Sequence, residues 1–403
     1  MADLTKDRLN DPFRIPRASR YASPGDAGDA LPIVYGDLTA VLSPGRGAYA
    51  CPQIDTAGAG TWCVAGHAIH GSVQLFDADG PIGPGDYTLN PAHDFQGLGV
   101  IATAAFSVAP ARFVEAVCKG KKDASGALIE NPIRVLEDLM TEVWGFPSQD
   151  LDLRALSLAA EAASALGYKA AGVIQEDHPP AEALTSLLGD FLGRFEVDPY
   201  GRVRVVLAGE ETGGIFPVKA LPSFGAAEVF AETARDSVVN QVPLLYGMSF
   251  AEGRMKGHDD GASTRDAASQ ALYGVRLPSG GSLELEWVRD AAVARAVQRR
   301  VVERLREPAR VLTIRDTTLR ALEIEPDDYV AFSVPWLRSA ELDPLVNQIG
   351  QVLSAGVDLR EQAVELRLRD TGRWLTAARP LDGSWALGGG SLLGAQRDLT
   401  VYA

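Results

Sequence analysis

The first third of the chain is divided into short apolar runs by closely spaced turn signals. Between about residues 31 and 120, the segments SPGRG, DTAGAG, DADGPIGPGD and NPAHD combine glycine or proline with small polar residues. Such clusters typically bound strands, and the runs between them, for example LPIVYG, have the length and composition of strands. The pattern therefore predicts a β-rich region for this part of the chain.

The stretch ENPIRVLEDLMTEVWGF, residues 130–146, breaks the β pattern with a complete set of helix signals. Asn131 is a favourable N-cap, Pro132 suits the first helical position, and Gly145 can adopt the left-handed conformation that ends a helix. Apolar residues recur between these ends at helical spacing: Ile133, Leu136, Met140 and Val143. An amphipathic helix is predicted, and loss of the Asn131 cap is expected to cost about 1 kcal/mol.

Two further helices and a hairpin are predicted after this helix. The helices cover about residues 153–166 and 180–195, and the segment FEVDPYGRVRVVL has strand residues on both sides of a Pro-Tyr-Gly turn. Together these elements predict a mixed α+β insert over residues 131–215.

The last part of the sequence predicts strands around one long helix. DSVVNQVPLLYGMSF and LELEWV are strand candidates, and a helix from 290 to about 306 is ended by Pro308. Four more strand candidates follow: ARVLTIRD, DDYVAFSVP, NQIGQVLSAGVD and QAVELRLRD. This pattern predicts a barrel-like, strand-rich domain that carries one helix.

The domain prediction has five parts: an extended N-terminal arm over residues 1–30, a β-rich domain over 31–130, the α+β insert over 131–215, a second β-rich domain with one long helix over 216–375, and a Gly-rich C-terminal tail over 376–403. The fold class is therefore a multidomain α+β protein.

Composition and charge exclude several classes of protein. With 403 residues, 46 % of them hydrophobic and 23 % charged, the sequence is that of a globular protein. No run of eighteen apolar residues is present and the first residues are polar, so neither a membrane span nor a secretory signal is expected. The net charge of −15 disfavours nucleic-acid binding by counterion release.

The strongest candidate for a metal site is the segment CPQIDTAGAGTWCVAGHAIH, with Cys51, Cys63, His67 and His70. Two thiols and two imidazoles could form a tetrahedral zinc site, but structural zinc sites usually pair their cysteines on a tight knuckle, and these are twelve residues apart. The favoured interpretation is a kinked strand, WCVAGHAIHGSVQLF, with a buried Cys63 and neutral histidines. The three cysteines, which include Cys118, are predicted to be free thiols.

Other candidate sites are weaker. His258, Asp259, Asp260 and Asp266 fall in the segment MKGHDDGASTRD, which lacks the alternating ligands and closing glutamate of a calcium loop and is predicted to be a solvated acidic loop. No Gly-x-Ser-x-Gly elbow, His-Glu-x-x-His helix or phosphate-binding Gly-x-x-x-x-Gly-Lys loop occurs. No catalytic, cofactor-binding or metal-binding residues are therefore predicted.

The predicted helix DAAVARAVQRRVVERLR carries a basic face, whose members are Arg295, Arg299, Arg300, Arg304 and Arg306. A basic face can bind nucleic acid, but a single basic helix on a strongly acidic protein is more often an interface or a solvated surface. The second interpretation is preferred.

The order of these segments resembles that of the tail hub and tail-tip proteins of long-tailed bacteriophages, including the host-specificity tip proteins of lambda-like phages. The resemblance covers about residues 31–370, through LPIVYGDLT, CKGKKDASGALIENPIRVLEDLMTEVWGF and GRFEVDPYGRVRVV. Its most specific part is an Asn-Pro that opens a helix and an aromatic-Gly pair that closes it. The matching residues are Asn131, Pro132, Leu136, Asp138, Leu139, Thr141, Trp144 and Gly145.

This resemblance implies a structural role in the virion, at the tail tip or baseplate. It implies two β-barrel-like, tail-tube-type domains flanking the α+β insert, and a homotrimer that presents six such domains to a six-fold tail tube. The implied partners are tail-tube or distal tail proteins, the tape-measure protein, and tail fibres or a spike. Assembly would take place in the host cytoplasm, and DNA would pass through the lumen without specific binding.

Two other classes of function remain open from the residues. One is a tail-associated hydrolase that acts on glycan or peptidoglycan through carboxylates, or through a metal bound by the cluster around Cys51 and His70. The other is a carbohydrate-binding module, for which exposed aromatic residues would be needed and only 7 % of the chain is aromatic. Because the sequence ends at Ala403 without the long extensions of lambda-like tip proteins, attached fibres or a spike are expected rather than direct receptor binding.

Overall fold

A computed structural model of the chain describes residues 9, 30–39, 48–95, 99–176, 179–198, 200–207, 218–220, 229–233, 237–308, 310–316, 320–324, 329–338, 344–358, 360, 363–376, 384–389 and 397–402. The predicted N-terminal arm, residues 1–30, lies outside these residues except at positions 9 and 30. The chain divides into two compact units: the first is formed by Met1–Ala208, Gln241–Arg265 and Leu277–Val301, and the second by Gly209–Asn240, Asp266–Arg276 and Val302–Ala403.

The β-rich region of the first unit contains two antiparallel sheets. One sheet has the order β2-β9-β5-β6, with β2 at Tyr49–Cys51, β5 at Val73–Asp77, β6 at Gly80–Pro81 and β9 at Val114–Cys118. The other has the order β3-β4-β8-β7, with β3 at Gln53–Asp55, β4 at Thr61–Ala65, β7 at Tyr87–Phe95 and β8 at Gly99–Phe106.

Both sheets contribute side chains to one hydrophobic core. Tyr49 and Leu75 come from the first sheet, and Trp62 and Phe106 come from the second. The rings of Trp62 and Phe106 pack edge to face with centroids 4.9 Å apart. The buried Tyr49 hydroxyl donates a hydrogen bond of 2.7 Å to the Val64 carbonyl, so a polar contact also links the two sheets. We call this pair of sheets, together with the adjoining segments at residues 66–72 and 119–129, the β-sandwich.

The insert begins with the helix that the sequence predicts. Helix α1 covers Pro132–Asp138 and continues as a π-helical turn over Leu139–Val143. The Asn131 side chain accepts hydrogen bonds from the backbone amides of Ile133 and Arg134, and Gly145 has a φ of +65°, so the predicted cap and stop are confirmed. The π-helical turn was not predicted, because its side-chain spacing differs little from that of an α-helix.

The remaining elements of the insert are α2 at Leu153–Ala165, β10 at Gly172–Ile174, α3 at Pro180–Asp190, and the antiparallel pair β11 at Gly193–Val197 and β12 at Val203–Leu207, with a short 3-10 turn at Ser148–Asp150. The predicted hairpin is confirmed. The prediction of a helix to residue 195 was wrong, because Leu192 adopts a φ of +57° and the chain continues as a strand from Gly193.

Strand β1, Ile33–Tyr35, pairs antiparallel with β10. On its other side the Val34 carbonyl accepts from the Lys121 amide, and Asp37 forms an isolated bridge with Lys119, so β1 lies between the β-sandwich and the insert. A three-stranded sheet of the first unit has the order β16-β15-β17, with β15 at Leu244–Ser249, β16 at Arg254–Asp259 and β17 at Leu283–Leu285.

The second unit is built on a sheet with the order β13-β19-β20-β21-β18-β14. Its strands are β13 at Val218–Ala220, β14 at Val229–Thr233, β18 at Arg310–Asp316, β19 at Tyr329–Arg338, β20 at Pro344–Asp358 and β21 at Ala363–Thr376. The four predicted C-terminal strands are confirmed. Strand β22, Ser384–Gly389, pairs with β21 and with β23, Arg397–Tyr402, inside the predicted tail.

The core of this sheet follows from alternation in its strands. Val364, Leu366 and Leu368 of β21 are buried, and they pack with Leu312 and Ile314 of β18. Residues two apart point to the same face of a strand, so the alternate apolar residues form one continuous surface.

Two further α-helices are present in the described residues, α4 at Ala267–Tyr273 and α5 at Ala291–Leu305, and a short 3-10 turn covers Arg320–Glu323. Helix α5 confirms the prediction of a long helix from about 290 to 306. Helix α4 was not predicted. Asp266 is the sequence signal for it, because aspartate is a favourable N-cap and its side chain here accepts from the Ser269 amide.

Taken together, the described residues form an α+β fold, as the sequence predicts. None of the described helices combines the length and apolar character needed to span a membrane.

One strand prediction was wrong. The segment WCVAGHAIHGSVQLF is two strands rather than one kinked strand, because β4 ends at Ala65 and β5 begins at Val73 in the other sheet of the sandwich. Gly71, with a φ of +105°, lies in the connecting turn. The predicted LELEWV strand is also shorter than expected and ends at Leu285.

Gly36 provides a test of the close packing beside β1. Its φ is +67°, and a Cβ at this position would lie 2.0 Å from the Ala170 carbonyl oxygen. Gly58 has nearly the same φ, +64°, but no atom within 4 Å of such a Cβ. We expect Gly36→Ala to lower the free energy of unfolding of the first unit by more than about 3 kcal/mol, and Gly58→Ala by about 1 kcal/mol, as measured by urea denaturation. Equal losses would show that only backbone strain matters.

The Asn131 side chain caps α1 and also bonds to a second helix, which the sequence does not indicate. Its side-chain amide donates to the Ala160 carbonyl and to the Ser164 hydroxyl, each at 2.9 Å, so it also joins α1 to α2. We expect Asn131→Ala to cost about 2 kcal/mol and Asn131→Ser, which keeps a cap but loses both amide contacts, about 1 kcal/mol. Thermal unfolding of the three proteins would measure this. A serine variant as stable as the parent would contradict any contribution from the amide.

Candidate functional site

The best-defined polar site in the first unit surrounds β1, in a stretch we call the junction segment, residues 31–38. One edge of β1 pairs with β10. On its other edge, the Val34 carbonyl accepts from the Lys121 amide at 2.8 Å and the Val34 amide donates to His67 Nε2 at 2.9 Å. The junction segment is therefore hydrogen-bonded to the insert and to the β-sandwich at the same time.

Glycines allow this approach. A Cβ on Gly120 would lie 2.3 Å from the Val34 carbonyl oxygen, and the Gly120 amide donates to the Gly36 carbonyl at 2.9 Å. The backbones of Gly120 and Val34 are in direct contact here, and any side chain at position 120 would prevent this contact.

His67 is a neutral hydrogen-bonding residue with a defined tautomer. Since the Val34 amide can only donate, Nε2 must be the acceptor, and Nδ1 therefore carries the proton that it donates to the Ala68 carbonyl at 2.9 Å. Burial lowers the pKa of His67 to about 4, and the positive charge of Lys121 acts in the same direction. Both ring nitrogens are occupied by the protein's own backbone.

A second set of polar groups fixes the junction segment to helix α1. The Tyr35 hydroxyl donates to Asp138 Oδ2 at 2.5 Å, and Lys121 Nζ forms an ion pair with the same oxygen at 2.7 Å. Tyr35 is fully buried, and burial together with the Asp138 carboxylate raises the pKa of its hydroxyl well above the usual value. These three residues form a small charged network. The buried Tyr35 hydroxyl has its hydrogen-bond partner inside the protein and does not depend on water. We call the three residues, together with His67, the junction cluster.

The residues of the zinc hypothesis are placed in different surroundings. Cys51 lies in the sandwich core, whereas Cys63 belongs to a separate apolar cluster with Leu31, Ile54 and Ile101. His70 is exposed, and both nitrogens of His67 are already bonded. In the part of the chain that the structure describes, no group of three or more metal-binding side chains is found.

The thiols have the character of core residues. All three cysteines are buried and free. Burial raises the pKa of Cys118 to about 12, and it raises those of Cys51 and Cys63 as well, so the thiols are protonated at neutral pH. Zinc binds thiolates, and these environments oppose thiolate formation. The surroundings of these residues therefore do not fit a zinc site.

The acidic segment predicted to be a loop is partly structured. His258 and Asp259 end strand β16. Asp259 accepts from the Gly261 amide at 2.9 Å and forms an ion pair with Arg295 at 3.2 Å. Asp260 accepts from the Ala262 amide at 2.9 Å. The prediction of a solvated loop was therefore wrong for Asp259, whose carboxylate has partners within the fold.

Within the second unit, Asp266 has two structural roles. It caps α4 and forms an ion pair with Arg306 at 3.1 Å. The buried Ser269 hydroxyl donates to the Arg306 carbonyl at 2.5 Å. These contacts hold the end of α5 and the start of α4 together.

The basic face of α5 is largely engaged within the protein. In the first unit, Arg295 pairs with Asp259, and the Arg300 guanidinium lies 5.9 Å from the centroid of the Tyr168 ring. In the second, Arg304 donates to the Gln351 side chain at 3.4 Å. Arg299 is exposed. Several arginines of the predicted basic face therefore make contacts within the protein.

Two buried charged residues were missed by sequence reasoning. Asp190, at the end of α3, accepts from the Trp287 amide at 2.6 Å, and burial raises its pKa. Arg289 is only 3 % exposed and donates to the Met248 carbonyl at 3.0 Å. A single charge in an amphipathic segment gives no signal of burial, because its partners lie about 40 to 100 residues away in sequence.

Comparison with known proteins gives structural similarities only. No family model matches the sequence, and no curated protein matches it. The chain is similar to a protein of the native gene transfer agent virion, with a TM-score of 0.48, 12 % identity and 92 % of each chain covered. It is also similar to a tail protein from Neisseria meningitidis MC58, with a TM-score of 0.36, 11 % identity, and 85 % and 92 % of the two chains covered.

A third similar structure is the prophage tail protein gp18 from Listeria monocytogenes EGD-e, with a TM-score of 0.30, 12 % identity, and 84 % and 94 % covered. These three similar structures are one virion protein and two tail proteins.

The hydroxyl of Tyr35 can be tested separately from its ring. Tyr35→Phe removes the hydrogen bond to Asp138 and leaves the packing unchanged, and we expect a loss of about 1–2 kcal/mol in the free energy of unfolding. Tyr200→Phe is the matched control, because Tyr200 is 79 % exposed, and we expect almost no change. Chemical denaturation of both variants would measure the difference. Equal effects would mean that the Asp138 contact contributes nothing to stability.

Proposed function

We propose that the chain is a structural hub protein of a bacteriophage-type tail, which assembles as a homotrimeric ring that closes or extends the tail tube. The main support is the segment around Asn131, where the motif shared with tail hubs coincides with a well-defined structural junction. The Asn131 cap, the helix it opens, and the Trp144–Gly145 close all have the conformation that the motif implies.

The order of elements after this motif gives further support. Helices α2 and α3 follow α1, and the β11–β12 hairpin comes next, in the same order as in the resemblance. The motif residue Asp138 also has a physical role, because its carboxylate binds Tyr35 and Lys121. We infer that this residue type is needed at the position to fasten the insert to the β-sandwich.

The described architecture is compatible with two tail-tube-type domains. The β-sandwich provides one candidate and the sheet from β13 to β21 the other. We propose the boundaries 31–130 for the first domain, 131–215 for the insert and 216–375 for the second domain, of which residues 241–265 and 277–301 belong to the first compact unit. Three chains would then present six such domains to a six-fold tube. We propose that the remaining parts, residues 1–30 and 376–403, serve attachment to neighbouring proteins.

The charge of the chain fits a role beside DNA that must move. A net charge of −15 on each subunit would make a trimeric ring strongly acidic. An acidic lumen repels phosphates, whereas a basic one would retain them. In this proposal the genome passes through the ring without specific binding, while tail-tube, distal tail and tape-measure proteins contact its faces, and fibres or a spike attach outside.

The polar groups of the junction cluster are consistent with structural work. Tyr35, Lys121, Asp138 and His67 each bond to another part of the fold. A catalytic group must instead face a substrate at hydrogen-bonding distance. The hydrogen bonds and the ion pair of these four residues thus connect the insert and the β-sandwich.

Oligomeric state tests the proposal directly. We expect light scattering on the purified full chain to give three times the mass of one subunit, and electron micrographs to show three-fold rings. The same sample is incubated with peptidoglycan to test the alternative of a tail-associated hydrolase. A stable monomer that releases soluble glycan fragments would contradict the structural role, and a trimer without such release would support it.

A further inference from the structure

The imidazole of His67 takes the place of a strand carbonyl beside β1. In a sheet, the Val34 amide would donate to a carbonyl of a neighbouring strand. Here the neighbouring segment supplies the Lys121 amide to the Val34 carbonyl, and the His67 ring supplies the acceptor for the Val34 amide. One of the two hydrogen bonds on this edge of Val34 therefore depends on a group that can be protonated.

Protonation and this hydrogen bond exclude each other. Nε2 can accept from the Val34 amide only while it carries no proton, and Nδ1 already holds the one proton of the neutral ring. A second proton would direct an N–H group at the Val34 N–H group. The contact would then be lost, and the backbone amide of Val34 would remain without its partner.

The surrounding charges oppose a charged imidazole on balance. Lys121 lowers the pKa of the ring, Asp138 raises it by a smaller amount, and the Tyr35 ring lies 6.4 Å away, centroid to centroid. Asp138 is already paired with Lys121 and bonded to the Tyr35 hydroxyl. Glu142 lies farther along the same helical segment and acts electrostatically on Tyr35.

We propose that protonation of His67 is an acid-sensitive release for the junction segment, which loosens the contact between the β-sandwich and the insert while the sandwich itself stays folded. The inference concerns one unit of one chain, so it stands whether or not the chain forms a trimer. The release takes place at the hydrogen bonds that join Val34 to His67 and Lys121. Strand β1 connects the β-sandwich and the insert through these bonds and through its pairing with β10.

The direction of the pH effect follows from proton binding. The neutral ring of the closed state has a pKa of about 4, and an exposed histidine has a pKa of about 6.5. Between these values the open state binds more protons, so its population increases as the pH falls. The opening equilibrium is expected to rise about tenfold for each unit of pH in this range. The contact is fully formed above about pH 6.5, and its stabilising effect is lost as the pH approaches 4.

Hydrogen exchange tests the proposal on the full chain. Amide protection, corrected for the intrinsic exchange rate, is measured by mass spectrometry at pH 7, 6, 5 and 4.5. Peptides from the junction segment, together with those around Lys121, whose amide bonds to the Val34 carbonyl, report the release, and peptides from β8 report the sandwich. We expect protection of the first group to fall about tenfold per pH unit below pH 6.5, and that of β8 to remain unchanged.

Two variants provide the comparison. His67→Gln keeps a side-chain oxygen that can accept from the Val34 amide but does not titrate, so we expect its junction segment to show no such pH dependence. His70→Gln makes the same change at an exposed histidine three positions later and should behave like the parent. The same acid response in His67→Gln as in the parent, or no response in the parent, would overturn the proposal.

A direct measurement covers the case in which His67→Gln does not fold. Nitrogen-15 spectra of histidine-labelled parent protein report the tautomer and the titration of each ring. We expect His67 to carry its proton on Nδ1 at pH 7 and to remain neutral to below pH 5. A proton on Nε2, or a midpoint near pH 6.5, would contradict the release mechanism.

Discussion

The first unit depends on the sharing of a single backbone stretch between two structures. Residues 31–38 pair with β10 of the insert, and on the other edge they bond to segments of the β-sandwich. The Gly36 amide donates to the Ile129 carbonyl at 3.1 Å, and the Leu38 amide donates to the Cys118 carbonyl at 3.1 Å. Buried backbone groups must be paired, and here the pairing itself connects the two parts. Glycine at positions 36 and 120 allows the backbones to come close enough for these bonds.

Charged and polar side chains strengthen this connection because each of them has a partner. Lys121 and Asp138 are only partly exposed, so their ion pair is screened less by water than a surface pair would be. The Tyr35 hydroxyl adds a short hydrogen bond to the same carboxylate. Removing Asp138 would take this partner from both the buried Tyr35 hydroxyl and Lys121, which costs more than the net contribution of a typical hydrogen bond. The cluster therefore favours one arrangement of α1 against β1.

Paired polar side chains at other positions are also relevant to the proposed role. A protein that forms part of a ring, as proposed, needs its own parts to be held in fixed positions. The Asn131 side chain, which caps α1 and also binds α2, is one such joint. The pairing of β1 with β10 is another. In the second unit, Asp266 and Arg306 provide a comparable link between α4 and α5.

Local signals were sufficient for much of the secondary structure. The Asn-Pro start and Gly145 stop of α1, the turn of the β11–β12 hairpin, and the four strands from β18 to β21 could be predicted, because caps, turns and apolar periodicity act over a few residues. The α+β class follows from them. The tertiary structure decided the rest. It divided the predicted kinked strand between two sheets, and it ended α3 early through the conformation of Leu192. It also brought Tyr35 to Asp138 and Val34 to His67, across 103 and 33 residues. Such contacts depend on which strands become neighbours, and that choice is made by burial over the whole unit rather than by any local pattern.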